Sequence, residues 1–194
     1  MITSTQGKIH WNYFLALEKD LEVISRYIEF SDPNFSVYSI ELARLLFAAA
    51  SEVDVIAKCL CNFVAPNETC RNINDYKRVL AARFTDISQE QVFIPRYGLS
   101  FVPWLNWSGT DNPFWWRSYN NVKHKRDQYF HEATLQHSLN ALGALLILTI
   151  LFYSYELAND IQNPLELKET TRHLQPESSL MRLKEEYYYS HLIV

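Results

Sequence analysis

The chain has 194 residues, 48% of them hydrophobic and 21% charged, with only four glycines. That length builds one domain with a real core, and the shortage of glycine argues against a turn-rich all-β design. A formal charge of -4 excludes global attraction to phosphate or to an anionic membrane, so nucleic-acid contact has to come from a local cluster.

From Trp11 to Phe30, apolar residues recur at Phe14, Leu17, Leu21, Ile24 and Ile28, which predicts a first amphipathic helix. Pro33 interrupts it, because proline disfavours helix at the residue before it. A second helix is predicted over Tyr38 to Val64, apolar around most of its circumference and therefore a core helix. Within it Glu52 and Asp54 stand in an apolar run and are expected as buried polar partners; their i, i+2 placement points them apart. Cys59 and Cys61 diverge by about 200° on the same helix, and three unpaired cysteines suit buried thiols in a reducing cytoplasm. No cysteine or histidine spacing suggests a metal site, and no cofactor fingerprint occurs. The opening "MITSTQGKIHWNYF" lacks the apolar run of a secretory signal.

"APNETCRNIND" reads as a connector and "NDYKRVLAARF" as a short third helix with basic residues near its end. Between Gln91 and Trp116 the character changes, with eight aromatics, three prolines and two glycines. There "VFI" and "LSFV" flank "PRYG", which predicts an extended excursion or small hairpin. Trp104 and Trp107 have the chemistry to stack bases, although plugging a core edge is the commoner role of such residues. A fourth helix is predicted from near Pro113 to about His131, and a fifth from Glu132 to Asp160. The fifth holds "ALGALLILTILFYSY", 15 residues where a bilayer span needs about 20, so it is expected to be a central core helix and not a membrane anchor. Pro164 stops it. Residues 164–194 form a polar C-terminal extension with an amphipathic helix predicted over Leu180 to Tyr189. The expected fold is all-α: a single domain over residues 1–194, an up-down bundle of four to five main helices, capped at one end by residues 91–116.

The candidate site lies in "NPFWWRSYNNVKHKRDQYFH", Asn112 to His131, which holds two Arg, two Lys and two His. On one unbroken helix, Trp115, Tyr119, Val122, Tyr129 and Ala133 share a face, and Arg117, Asn120, Asn121, His124, Gln128 and His131 share the opposite one. Arg126 projects toward the apolar side, where Glu52 or Asp54 could receive it. Arg117 and His124, two turns apart, are nearly eclipsed, whereas Arg126 and His131 diverge by about 140°. An arginine and a neutral imidazole beside one phosphodiester suit metal-free RNA cleavage: the guanidinium stabilises developing negative charge and the imidazole moves a proton near neutral pH. A solvated face of an ordinary amphipathic helix would show the same pattern. His10, His137 and His173 are isolated, as surface or satisfied core histidines usually are.

These residues resemble the HEPN superfamily of helical prokaryotic ribonucleases, toxins and phage-defence proteins. "WWRSYNNVKHKR" is similar to the Trp-Trp, Tyr-Asn-x-x-Lys-His-x-Arg element of an uncharacterised bacterial HEPN-like group. On the family's Arg-Asn-x-x-Ala-His form, Asn120 and His124 match while Tyr119 stands where the arginine belongs. Arg117 takes over from one turn earlier, Arg126 does so from one turn later, or the nuclease activity is lost. The resemblance implies a metal-independent endoribonuclease that works as a homodimer in a toxin-antitoxin or phage-defence system. His124 and Arg117 would be catalytic, with Asn120, Lys123, Arg126, His131 and Tyr119 supporting or binding RNA. Two rival expectations are a catalytically inactive module that dimerises or binds an antitoxin-like protein through its tyrosine-rich tail, and a ligand pocket lined by Trp107, Trp115 and Trp116.

Overall fold

The longest apolar segments of the chain become its two central helices in a computed structural model that describes residues 7–158 and 162–188. In chain order the helices are α1 (Ile9–Ile24), α2 (Ile40–Val64), α3 (Ile73–Arg83), α4 (Phe114–His124), α5 (Arg126–Tyr129), α6 (Leu135–Glu156) and α7 (Leu167–His173). Strands β1 (Val92–Ile94) and β2 (Leu99–Phe101) form the only sheet among the described residues. The class is all-α.

Each long helix starts where the sequence supplies a cap. The Ser39 hydroxyl accepts from Leu42 N at 3.1 Å to open α2, and the Thr134 hydroxyl accepts from His137 N at 3.3 Å to open α6. Asn72 caps α3 through Asn74 N and Asp75 N, while the Asp75 carboxylate reaches back to Arg71 N at 2.9 Å. α4 begins after Pro113, and its first free N–H, that of Phe114, is met by Asn106 Oδ1 at 3.2 Å.

α2 and α6 pack together along their length, and they run in the same direction. At their starts Leu135 N donates to Val37 O at 2.8 Å and the Ser138 hydroxyl to Leu42 O at 3.0 Å. At their far ends Phe63 meets Phe152 and Tyr155 with ring centroids 5.6 and 5.9 Å apart. α1 runs against this pair, His10 at its start lying on Phe152 near the end of α6. α4 packs on both central helices, α3 on α2 and α7 on α6. α6 is apolar all round because it is covered all round; 83% of its most apolar window is buried by the rest of the chain. A helix of that length and composition would also span a bilayer, but here the chain's own side chains take the place of lipid.

The hairpin follows the expected lines: Val92 pairs with Phe101 and Ile94 with Leu99, across a turn at Pro95–Tyr97 closed by Gly98 at φ 63°, a left-handed conformation that glycine adopts freely. It lies on α6 at Gly143, where a Cβ would stand 2.7 Å from the Phe101 ring and 3.2 Å from Pro103 and Val92.

Several boundaries differ from the sequence-based expectation. α1 stops at Ile24 and not Phe30, and α6 starts at Leu135 and not Glu132; the predicted end of that helix at Asp160 lies outside the described residues. The amphipathic helix expected over Leu180 to Tyr189 is absent as far as Tyr188. Arg182 instead bridges Phe93 on β1, exchanging backbone bonds of 2.7 and 2.9 Å, and only Glu185–Tyr187 makes a helical turn. What holds this segment is Glu18 of α1. Its buried carboxylate accepts from Ser179 N at 3.0 Å, Leu180 N at 3.1 Å, Met181 N at 2.9 Å and the Ser178 hydroxyl. Replacing Glu18 by Ala strands these donors without water, at a cost of about 3 kcal/mol. A lowered urea midpoint is expected, with amide exchange rising first at residues 178–183.

Candidate nucleic-acid interface

The predicted fourth helix is broken. Lys125 adopts φ -143° and ψ 58°, ending α4 at His124; Arg126 begins the single turn of α5, and a 3-10 turn follows over Phe130–Glu132. The 140° divergence expected of Arg126 and His131 on a continuous helix therefore does not apply. Upstream of the break the two-faced pattern is present: Trp115, Tyr119 and Val122 are buried, whereas Arg117 and His124 are exposed. Lys123, Lys125, Arg126, Gln128 and His131 are exposed as well.

The buried face is an aromatic ladder. Trp104 lies against Trp107 with centroids 4.1 Å apart and planes inclined by 42°, and meets Trp115 edge-on; Trp115 meets Trp116, Trp116 meets Tyr119, and Tyr119 meets Phe47 of α2 at 5.6 Å. Trp115 Nε1 donates to Pro103 O at 2.9 Å. Trp107 and Trp115 are sealed in the core, so the tryptophan-lined pocket does not form, and Trp104 and Trp107 offer no face to a base.

Two cations rest on the far end of this ladder. The Lys123 ammonium lies 5.2 Å from the centre of the Tyr119 ring and donates to its hydroxyl at 3.2 Å. Arg126 places its guanidinium 5.1 Å over Phe47. Arg126 thus reaches an aromatic ring and not Glu52 or Asp54, whose partners are others. Glu52 bonds His10 Nδ1 at 2.5 Å, and Asp54 pairs with Lys58 and accepts from Tyr76 OH at 2.8 Å. Both carboxylates are half-buried, on different faces of α2.

The remaining candidates separate along α4. Arg117 and Asn120 line a polar cleft of about 510 Å³ between α3, the 106–113 loop and α4. Asn120 Nδ2 donates to Trp116 O at 2.9 Å, and the buried Asn112 Oδ1, also on the cleft, has no hydrogen-bond partner among the described residues. His124 lies seven residues beyond Arg117 on the same stripe, about 10 Å along the axis. No hydrogen bond or ion pair joins it to a described residue. On the other side of α5, Arg126 and Phe130 edge a groove with Ile40, Arg44 and Phe47 of about 710 Å³. The His131 ring lies near that of Tyr129, with centroids 6.5 Å apart.

The isolated histidines have structural partners: His10 in Glu52, His173 in Glu169 at 3.1 Å, and His137 in the Glu132 carbonyl at 2.5 Å. Of the cysteines, Cys61 is buried and Cys59 and Cys70 are half-buried, all as free thiols. Compared with protein-family models, with curated proteins and with solved structures, the chain matches none.

Glu132 ties the break to both neighbours, since its carboxylate accepts from Asn121 Nδ2 at 3.0 Å and its carbonyl holds His137. Burial pushes the His137 imidazole below its ordinary value, against the opposing pull of Glu132. The folded state therefore binds this proton less readily than the unfolded chain, and its contribution to stability is full above about pH 6.5 and lost as pH falls through the depressed folded value. His137→Gln is expected to flatten the acid limb of a urea-midpoint profile between neutral and mildly acid pH. A profile identical to that of the parent would contradict this.

Proposed function

We propose that the chain is an RNA-binding protein of HEPN-like type, whose α4–α5 edge holds the phosphate backbone and cleaves it without a metal ion. One observation carries this: between residues 117 and 131, Arg117, Lys123, His124, Lys125, Arg126 and His131 are all exposed, on a chain whose net charge is -4. A concentration of positive charge on an otherwise acidic molecule is the footprint that phosphate binding leaves. Aromatic rings beside the cations add surfaces for bases, Phe47 and Phe130 lining the groove that Arg126 edges.

In this scheme His124 accepts the 2′-OH proton as O2′ bonds to phosphorus. The P–O5′ bond breaks, and an imidazolium, His124 of a second copy in a homodimer, protonates the departing oxygen. Arg117 neutralises phosphate charge along the same stripe, with Asn120 beside it, and Lys123 and Arg126 bind the flanking strand. The break at Lys125 removes the divergence a continuous helix would impose on Arg126 and His131; Arg126 rests over Phe47 and His131 beside Tyr129, so in this scheme the two add positive charge to the edge and Arg117 remains the partner of His124. A toxin-antitoxin or phage-defence role in the cytoplasm goes with the resemblance.

A second reading has its own observation. Tyr13 and Val23 on α1, Tyr27 just beyond its end and Ile40 at the start of α2 are large apolar side chains left exposed, which suits a module that pairs with a second copy or an antitoxin-like protein. The tyrosine-rich tail beyond Tyr188 lies outside the described residues.

Fluorescence anisotropy with a single-stranded RNA across a salt series tests binding: Lys123→Ala with Arg126→Ala is expected to weaken it and to lower the salt slope by about 1 per residue. Incubation with RNA in chelator tests cleavage, which should fall by about 100-fold or more in His124→Ala. RNA binding unaffected by the double substitution removes the interface. Cleavage equal in parent and His124→Ala removes the chemistry, and a monomeric mass at all concentrations removes the paired site.

A further inference from the structure

One buried carboxylate outside the basic edge is left partly unpaired. Glu90 is 8% exposed, and its Oε1 is buried with no hydrogen-bond partner among the described residues. Its Oε2 is served, though at long range, by Lys184 Nζ at 3.5 Å and the Tyr187 hydroxyl at 3.4 Å. Such an oxygen loses its water on folding and gains nothing in return.

Glu90 lines a cavity of about 280 Å³. The walls are mainly aliphatic: Ile147, Ile150 and Leu151 of α6, Leu167 at the start of α7, and Leu183. Asp86 adds a second carboxylate. Arg83, also on the cavity, has its guanidinium 5.9 Å from the Phe84 and Tyr155 rings. The cavity therefore joins apolar walls to one desolvated acceptor, the combination by which small-molecule sites fix an apolar body through a single polar head. Its volume falls just under the common range of about 300–1,000 Å³, which suits a small ligand.

We infer that this cavity is a binding site for a small aliphatic molecule with a hydrogen-bond-donating head, a primary amine above all, whose head meets Glu90 Oε1 while its chain lies against Ile147, Ile150 and Leu151. Burial raises the Glu90 carboxyl above the ordinary carboxylate range, and it pushes the Tyr187 hydroxyl up to about 12, so Tyr187 stays a donor to Oε2 at neutral pH. An ammonium head would reverse the rise at Glu90 by supplying the missing partner. The site is independent of the RNA-binding proposal, since it uses none of the same residues.

The test is calorimetric titration of the full chain with hexylamine, hexanol and hexanoate, checked by ligand-observed NMR. Hexylamine is expected to bind at millimolar concentration or better, about tenfold tighter than hexanol, and hexanoate most weakly. Glu90→Gln should bring hexylamine to the level of hexanol. Leu151→Trp, at the half-exposed wall, should abolish binding of all three, and it keeps the test decisive if Glu90→Gln fails to fold. Absence of saturable hexylamine binding to the parent overturns the site, as does equal binding to the parent and Leu151→Trp. Preference for hexanoate, or hexylamine binding unchanged by a folded Glu90→Gln, overturns the role of the carboxylate.

Discussion

The parallel packing of α2 against α6 is the constraint from which the rest of the architecture follows. Two helices of about 37 and 33 Å lying side by side in the same direction cannot be joined by a short turn, because the chain must travel back along their whole length before starting the second. Residues 65–134 make that return. α3, the hairpin and α4 are the stations along it, and each finds an apolar face of the central pair to cover. The aromatic excursion has the same origin: the return path is wide and irregular, and tryptophan fills irregular space with the fewest residues. Because α6 is enclosed on every side, it needs no polar stripe, and its Ser138, Thr149 and Ser154 hydroxyls are turned to backbone carbonyls of α6 and α2.

The same constraint determines where charge gathers. The return path ends beside the starts of α2 and α6, so two helix N-termini, with their partial positive ends, point to one end of the molecule, and α5 lies there with Arg126 over Phe47. Lys123 and His124 also complement the carbonyl end of α4, which they occupy as its last turn. Their presence thus serves the helix as well as any anion, and it is on their exposure together with Lys125, Arg126 and His131 that the proposed interface rests.

Local pattern carried much of the fold. The apolar run of α6 and the "VFI…PRYG…LSFV" hairpin are each encoded within 15 residues or fewer, and each is where the residues put it; the caps at Ser39, Asn72 and Thr134 are equally local, though helical periodicity alone does not point to them. The break at Lys125 is not encoded that way. No proline or glycine occurs in "NVKHKRDQYF"; the chain turns so that the Phe130 ring can meet Tyr38, 5.8 Å away, and Leu135 can bond Val37, contacts that lie about a hundred residues apart in sequence. The extended course of Leu180–Leu183 is likewise dictated by Glu18 and Phe93, and α7 by α6. At the candidate edge, helical spacing foretold the exposure of Arg117 and His124 but not the rings that receive Lys123 and Arg126. Glu90 was invisible, because a glutamate in "SQEQV" reads as surface until α6 and the 183–187 segment close over it.

The Glu18 clamp has a bearing on how the molecule comes into being. Its donors, Ser178 to Met181, are separated from it by some 160 residues, so on the ribosome the inner side of α1 waits through the synthesis of all of these for the groups that will satisfy it. Until residue 181 emerges, α1 carries an unmatched carboxylate toward the core and β1 lacks its Arg182 neighbour. Completion of this structure is therefore a long-range event, slower than the helices that precede it and sensitive to whatever delays residues 178–182.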